Sequence, residues 1–350
     1  MKTTVGVIGC GRIAETAHFP ALSKMENVRI KYACDIIEKK AVDAKEKYGA
    51  ELAVTDYKTV LCDSEVEAVY VLTPNFSHYG ITMDALRAGK HVFCEKPIMV
   101  NYPLAVEMAK LANSKGLMLN IGVCNRYHKS VQEIKALNES GKLGNIYHVY
   151  CSFRAQRSIP GLGGAFTTKA ESGGGVLIDW GIHFFDLILF ILGKARIKSV
   201  SANTYSEMAK KISDYKFENM WAGPPVPDGI NDVEDFVTGY IRTDKATISF
   251  NGAWAQNIAD KEKMYVDFLG DKAGVRLTYG GHYTVFDNDL KSTQSEGEIP
   301  LHYTCEDEDF INTLRAGGAK TVSNIDYVLE SQKLLDAIYE SADKNREVYL

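Results

Sequence analysis

The strongest constraint in this chain is a short apolar run that ends in glycines and passes directly into a helical pattern. Val5-Gly6-Val7-Ile8 has the unbroken apolar character of a strand buried on both faces, and Gly9-Cys10-Gly11-Arg12-Ile13-Ala14 follows it, ahead of a helix expected over Arg12 to Lys24. In such a strand-loop-helix unit Gly9 permits a tight turn, Gly11 lets the backbone approach a pyrophosphate, and Ala14 allows close packing of helix on sheet. The helix then presents its unpaired N–H groups to the phosphates. A second strand, Val28 to Cys34, is closed by Asp35, 21 residues after Ala14, where a carboxylate accepts hydrogen bonds from an adenosine ribose. A carboxylate about 4 Å from a 2′-phosphate would be repelled by roughly 4 kcal/mol at an effective dielectric of about 20. The next residues, Ile36 and Ile37, offer no cation to offset this. The expected cofactor is therefore NAD and not NADP.

The alternation continues with a helix over Glu38 to Tyr48, a strand over Ala68 to Leu72, a helix around Tyr79 to Ala88, a strand over Lys90 to Cys94, a helix over Pro103 to Ser114 and a strand over Met118 to Gly122. Alternating strands and helices imply a doubly wound parallel sheet covered on both faces. Near residue 123 the rhythm changes. Longer alternating strands follow, from Ile146 to Phe153, Lys198 to Thr204, Asp235 to Arg242, Ala246 to Trp254 and onward, with hairpin-like turns at Thr243-Asp244-Lys245 and Leu269-Gly270-Asp271-Lys272. These predict a mostly antiparallel sheet. The 350 residues are accordingly read as two domains, 1–122 and 123–350, consistent with roughly 100 to 200 residues per domain. The fold class is α/β throughout. Two helices, near Glu306 to Ala316 and Tyr327 to Asn345, are expected to close the chain.

Charge and cysteine usage narrow the partners. A net charge of -5 without a basic block argues against an electrostatic grip on nucleic acid or anionic lipid. The longest apolar stretch, Val176 to Gly193, contains Asp179, His183 and Asp186, whose burial in hydrocarbon would cost several kcal/mol, so no membrane span is expected. Met1-Lys2-Thr3-Thr4 runs into the first strand without room for a secretory leader. The seven cysteines are odd in number and scattered, which predicts reduced thiols, a cytoplasmic location and neither a disulfide framework nor a metal site.

Two further elements carry chemistry. Glu95-Lys96-Pro97 follows the strand ending at Cys94, placing Lys96 at a carboxyl end of the parallel sheet, where open α/β folds bind ligands; a lysine there is suited to proton transfer. Ser172-Gly173-Gly174-Gly175 leads into Asp179, His183 and Asp186, whose spacings of four and three put them near one face of a helix. Asp179 could bind substrate hydroxyls and tune His183, which relays protons near neutrality.

In combination these motifs resemble the glucose-fructose oxidoreductase and inositol dehydrogenase (Gfo/Idh/MocA) family. The resemblance rests on Gly9 to Ala14, Asp35, Thr73-Pro74-Asn75 with His78, Glu95-Lys96-Pro97, Gly141-Lys142-Leu143-Gly144 and Gly173 to Asp186. It implies an N-terminal Rossmann domain and a C-terminal α/β domain whose large open sheet binds substrate on one face and forms homo-oligomer contacts, dimeric or tetrameric, on the other. It also implies Lys96 as the central acid/base, with His183 and Asp179 completing the catalytic group. Thr73, Pro74, Asn75 and His78 would line the nicotinamide half of the cofactor, with Glu95 positioning it, and the Lys96-Pro97 bond is often cis in such proteins. His18 and Pro20 match a family pattern and are read as packing residues. Asn125-Arg126-Tyr127-His128 departs from the Asn-Arg-Arg-Phe followed by proline that many relatives carry.

The family implies a substrate that is a sugar, polyol or glycoside, oxidised at a secondary ring hydroxyl of C1 or C3 type. Sugar sites use carboxylate, guanidinium and aromatic partners, which nominates Tyr127, Arg154, Arg157, Trp180 and Trp254 beside Lys96, Asp179 and His183. Arg154 to Thr168 is expected to form a loop over the substrate. Two other readings compete. One is glycoside cleavage through a 3-oxo intermediate with NAD recycled in place; the other is a non-catalytic NAD-sensing protein, against which Lys96, Asp179 and His183 argue.

Overall fold

Six strands make the first sheet: β1 (Thr3–Ile8), β2 (Val28–Cys34), β3 (Leu52–Val54), β4 (Ala68–Val71), β5 (His91–Glu95) and β6 (Leu119–Gly122). They run parallel in the order β3-β2-β1-β4-β5-β6. The order reverses between β1 and β4, and the crevice at the carboxyl ends there is where such sheets bind ligands. The structure, a computed structural model, describes residues 2–98, 101–193, 195–217, 220–295, 302–318 and 320–350. Both faces of the sheet are buried, Val5, Val7, Tyr70 and Phe93 packing on one side and Val69, Val71, Val92 and Ile121 on the other. That is why its strands read as continuous apolar runs. The first helical segment, residues 12–22, contains a π-helical stretch, Ala14–His18. β3 and the helix Tyr57–Cys62 are additions to the sequence reading, too short to set up a readable periodicity.

By packing, Met1–Tyr127 and Leu301–Leu329 form one unit, and His128–Pro300 with Glu330–Leu350 form the other. The expected division placed everything beyond 122 in the second domain. The helix His302–Arg315 instead belongs with the first, because Phe310 meets Tyr70 and Phe93 edge-on at 5.6 and 5.7 Å and is fully buried there with Ile311.

The second unit is built on β7 (Ile146–Ala155), β8 (Ile197–Tyr205), β9 (Phe236–Thr243), β10 (Thr247–Ala253), β11 (Glu262–Gly270), β12 (Ala273–Thr278), β13 (Tyr283–Asp287), β14 (Ser292–Gln294) and β15 (Val348–Tyr349). Its order is β14-β13-β12-β11-β7-β10-β9-β8-β15, antiparallel except for β7 beside β10. One face is covered by the helical run that carries Asp179 and His183: Phe153 of β7 stacks on Phe184 at 4.8 Å, and Phe250 of β10 meets Phe185 edge-on at 5.0 Å. By length and composition, Lys169–Leu192 could cross a membrane, but 83% of its apolar window is buried inside the protein, as a core helix requires. All seven cysteines are free thiols.

Candidate functional site

The glycine loop of the first unit is fixed by the strands around it. The Gly9 N–H donates to the Cys34 carbonyl at 2.8 Å, and the Cys10 N–H donates to Asp35 Oδ2 at 2.9 Å. Gly9 has φ 98°, and a Cβ there would stand 2.5 Å from the Leu72 carbonyl oxygen, so glycine alone fits. Gly11 differs: a Cβ would meet nothing within 4 Å. The space over Gly11 is an open cradle beside the first turn of a helix, whose N–H groups have no intrahelical acceptor, and Ala14 is fully buried against the sheet. Arg12 is exposed and Ile13 half-buried. Asp35 Oδ1 accepts the Ile37 N–H at 2.9 Å, which orients the carboxylate at the end of β2, and Ile36 is 89% exposed beyond it. These residues fit a dinucleotide, with pyrophosphate over Gly11 and adenosine ribose at Asp35.

The turn after β5 is held from two sides. Lys96 is half-buried and its peptide bond to Pro97 is cis. The Lys96 N–H donates to Glu95 Oε2 at 2.9 Å, and Glu95 Oε1 lies 3.0 Å from His18 Nε2. On the other side, His78 is fully buried with Nδ1 2.9 Å from the Pro97 carbonyl oxygen and Nε2 2.8 Å from that of Thr73. Carbonyls only accept, so both bonds require both ring nitrogens to carry protons. His78 therefore shapes the Thr73-Pro74-Asn75 turn and the Lys96 turn through their backbones. Thr73 is braced further by the Ser77 hydroxyl at 2.7 Å.

Both buried histidines hold their protons tightly. Burial disfavours charge on His18, but Asp307 and Glu95 outweigh it and push it up to about 10. Burial likewise opposes the His78 imidazolium, and Cys94 with the two carbonyls pushes it up to about 9. The unfolded chain releases these protons near 6.5, the ordinary histidine value. Their contribution to stability is therefore complete below about pH 6.5 and is lost as pH rises through about 9 and then about 10. Thermal unfolding followed from pH 6 to pH 10 should show a falling Tm; a Tm rising over that interval would contradict the assignment.

In the second unit, Glu234 is a buried cap for the helical run bearing Asp179 and His183. Its Oε2 accepts the Gly175 N–H at 2.9 Å, and its Oε1 accepts the Leu177 N–H at 3.0 Å and the Tyr339 hydroxyl at 2.8 Å. A Cβ on Gly175 would come 1.9 Å from the Glu234 carbonyl oxygen, which explains the glycines before this helix. Burial raises the Glu234 carboxyl against the pull of these donors. The run begins as a π-helical turn, Leu177–Gly181, and continues as Ile182–Leu192. Asp179 is largely buried, Trp180 and His183 are half-buried, and Asp186 points inward to accept the Ser331 hydroxyl at 2.7 Å. Asp186 thus separates from the pair with which it was grouped.

The remaining nominated residues have the following surroundings. Tyr127 donates its hydroxyl to Asp309 at 2.7 Å within the first unit. Arg157 Nη1 donates to the Gln156 and Gln256 carbonyls and its Nη2 to Asn257, so its guanidinium ties the loop to the connection between β10 and β11. Arg154 alternates with Phe153 along β7, which puts it on the sheet face away from the helix of His183; its Nε lies 3.3 Å from Ser152 Oγ. Trp254 is 1% exposed and belongs to the core. The segment after β7, expected as a loop over the substrate, is tied to the rest of its unit. Its Pro160 and Leu162 carbonyls accept the Ala222 and Val226 N–H groups, both at 2.9 Å, so it forms a platform with the irregular stretch before β9. Arg154→Ala should accordingly leave substrate KM within about twofold, since surface changes away from such ties are nearly neutral; a tenfold rise would return Arg154 to the substrate set. Among the described residues, no cluster of three or more His, Cys, Asp or Glu could hold a metal ion.

Asp307, which completes the buried contacts of His18, gave no signal in the sequence. It lies 289 residues from His18, and only the cross-chain packing of the helix His302–Arg315 reveals it.

Comparisons with known proteins agree with this geometry. Residues 3–123 match the family profile described as "Oxidoreductase family, NAD-binding Rossmann fold", and residues 131–276 match "GFO/IDH/MocA C-terminal domain". The chain is 30% identical over 348 residues to D-glucoside 3-dehydrogenase of Escherichia coli K12, covering 99% of this chain and 97% of that protein. It is 28% identical over 190 residues to myo-inositol 2-dehydrogenase of Thermotoga maritima, covering 54% and 55% of the two chains. Levoglucosan dehydrogenase, solved with NADH and levoglucosan, has the same fold, with a TM-score of 0.85 at 20% identity over 100% of this chain and 99% of that one.

Proposed function

The chain belongs to the Gfo/Idh/MocA family of NAD-dependent oxidoreductases, and from that premise we propose that it oxidises a secondary ring hydroxyl of a sugar, polyol or glycoside, with the C3 hydroxyl of a glucoside as first candidate. The observation that carries the reading is the end-to-end likeness to a D-glucoside 3-dehydrogenase. NAD, when bound, supplies the hydride acceptor at its nicotinamide. The glycine loop and Asp35 hold its pyrophosphate and adenosine ribose, and the Thr73-Pro74-Asn75 turn lies along its nicotinamide half. Lys96 takes the hydroxyl proton. His183, oriented with Asp179, passes protons and binds hydroxyls, and Trp180 offers a half-buried indole to a sugar's apolar face.

The test is a panel of methyl glucosides, free sugars and inositols incubated with the purified chain and NAD, with NADH followed by absorbance and the new carbonyl located by NMR. A 3-oxo glucoside is expected; NADH from none of the panel would overturn the reading. Cofactor choice has its own check. Asp35→Ser keeps a short acceptor for the Ile37 N–H while removing the charge, and should narrow the preference for NAD over NADP by roughly 10- to 100-fold. An unchanged preference in kcat/KM would remove Asp35 from the ribose site.

We also propose that a second copy of this chain covers the outward face of the nine-stranded sheet. Tyr150 is 48% exposed there and meets His148 edge-on at 4.5 Å, and exposed aromatic surface of this kind marks interfaces. Light scattering after size exclusion should give a dimer or tetramer; a monomer at every concentration would overturn this.

A further inference from the structure

One buried cluster in the first unit is left over from the function just described. His18 is fully enclosed, with Nδ1 2.9 and 3.1 Å from the two oxygens of Asp307 and Nε2 3.0 Å from Glu95 Oε1. Glu95 in turn accepts the Lys96 N–H. Four residues from three distant parts of the chain thus form one line, Asp307 to His18 to Glu95 to the backbone of Lys96. A neutral imidazole carries a single N–H, whereas two ionised carboxylates offer only acceptors; burial raises the Asp307 carboxyl, and with both carboxyls ionised the line closes only when the ring is doubly protonated and bonds both ways. Such charge-assisted bonds are the strong ones, and removing one partner of a buried set leaves the others uncompensated.

The surroundings leave Glu95 little freedom. A Cβ on Gly122 of β6 would come 2.8 Å from its carboxyl carbon and Oε1, so the missing side chain of Gly122 makes the slot in which the carboxylate lies. Phe93, Tyr70 and Tyr303 surround the His18 ring at 5.1, 5.8 and 6.0 Å, excluding water. The charged and titratable groups around the cluster are Asp307 itself, Glu306 buried beside it on the same helix, the exposed Glu308, Glu95 on β5 with Lys96 next to it, the hydroxyls of Tyr70, Tyr127 and Tyr303 and the Cys124 thiol. Carboxylates outnumber cations among them, so the field around the ring favours a cation.

We infer that His18 is a positioning residue for Lys96: as an imidazolium bridging Asp307 and Glu95, it locks the Glu95 carboxylate against the Lys96 N–H and so fixes where the lysine amine is presented. This rests on the reading of Lys96 as the proton acceptor. A packing histidine would need none of these bonds. The electrostatic balance, in which the two carboxylates outweigh burial and hold the ring proton up to about pH 10, agrees with the geometry.

Two measurements test it. In the full-length protein, the ring nitrogens of His18 should give the doubly protonated pattern in 15N NMR from pH 6 to pH 9; a neutral ring in that range would overturn the proposal without any variant being made. In kinetics, His18→Gln should lower kcat roughly 10- to 100-fold with the Kd for NAD within about threefold, on the scale of a lost positioning interaction. In the Lys96→Ala background the same change should cost less than about twofold, because effects of residues acting as a unit do not multiply. Losses that multiply fully would overturn the role of His18 while leaving Lys96 in place. A Lys96→Ala enzyme with near-normal turnover would instead overturn the assignment of Lys96, and this role with it.

Discussion

Lys96→Ala should lower kcat by roughly 10²- to 10⁴-fold, the usual scale for a positioned acid or base, while leaving the Kd for NAD within a few-fold. The loss corresponds to about 3–5 kcal/mol of barrier. The separation of the two effects follows from where the turn gets its shape. The Lys96 backbone is held by Glu95, and the Pro97 carbonyl by His78, so truncating the side chain removes the amine without releasing the turn. The glycine loop and Asp35 stand at the ends of other strands and keep their own bonds to Cys34, Cys10 and Ile37. Steady-state kcat and a fluorescence titration with NADH would separate chemistry from binding. Turnover close to that of the unaltered enzyme would reject Lys96 as the proton acceptor.

Trp254→Ala should destabilise the second unit by about 3–5 kcal/mol, as large-to-small changes of buried tryptophan do, lowering its Tm by roughly 6–20 °C. The indole is 1% exposed within the main apolar core of the second unit, so its removal leaves a void in a close-packed interior. Its backbone also joins the platform: the Trp254 carbonyl accepts the Ser158 N–H at 2.7 Å, and its N–H donates to the Asp235 carbonyl at 2.9 Å. The buried indole Nε1 has no hydrogen-bond partner among the described residues, and an unsatisfied buried donor costs about 1–3 kcal/mol. Trp254→Phe removes that donor along with part of the ring, so the two effects offset and the loss should stay near about 1 kcal/mol. Denaturant unfolding of both variants would decide; a phenylalanine variant as damaged as the alanine one would mean that the N–H is satisfied. Substrate KM should be unchanged in Trp254→Phe, in keeping with a core residue.

The contrast between Trp254 and Asp35 shows how far the sequence could be read. Asp35 is legible because its role depends on near neighbours: a strand ends, a carboxylate closes it, and a glycine loop lies 21 residues before it. Trp254 and Arg154 are sugar-binding candidates by residue type, and type does not say which side chain is buried. That depends on the register of β7 against β10 and β11, where Phe153 takes the face under the helix and Arg154 the other. β3 escaped notice because three residues with an exposed Leu52 leave no alternation to count. The helix His302–Arg315 was expected as an element, yet its place in the first unit hangs on Phe310 finding Tyr70 and Phe93, which no local pattern encodes.

By itself the sequence determined the two sheets, the glycine loop of an NAD-binding domain and the lysine turn. These rest on periodicity and on steric freedom at Gly9, which act over short stretches of chain. Tertiary structure alone decided which polar residues are buried together. A buried charge must be paired wherever the partner comes from, and His18 finds its partners 77 and 289 residues away, in Glu95 and Asp307. Long-range pairing of that kind turned an apparent packing histidine into the anchor of the lysine turn.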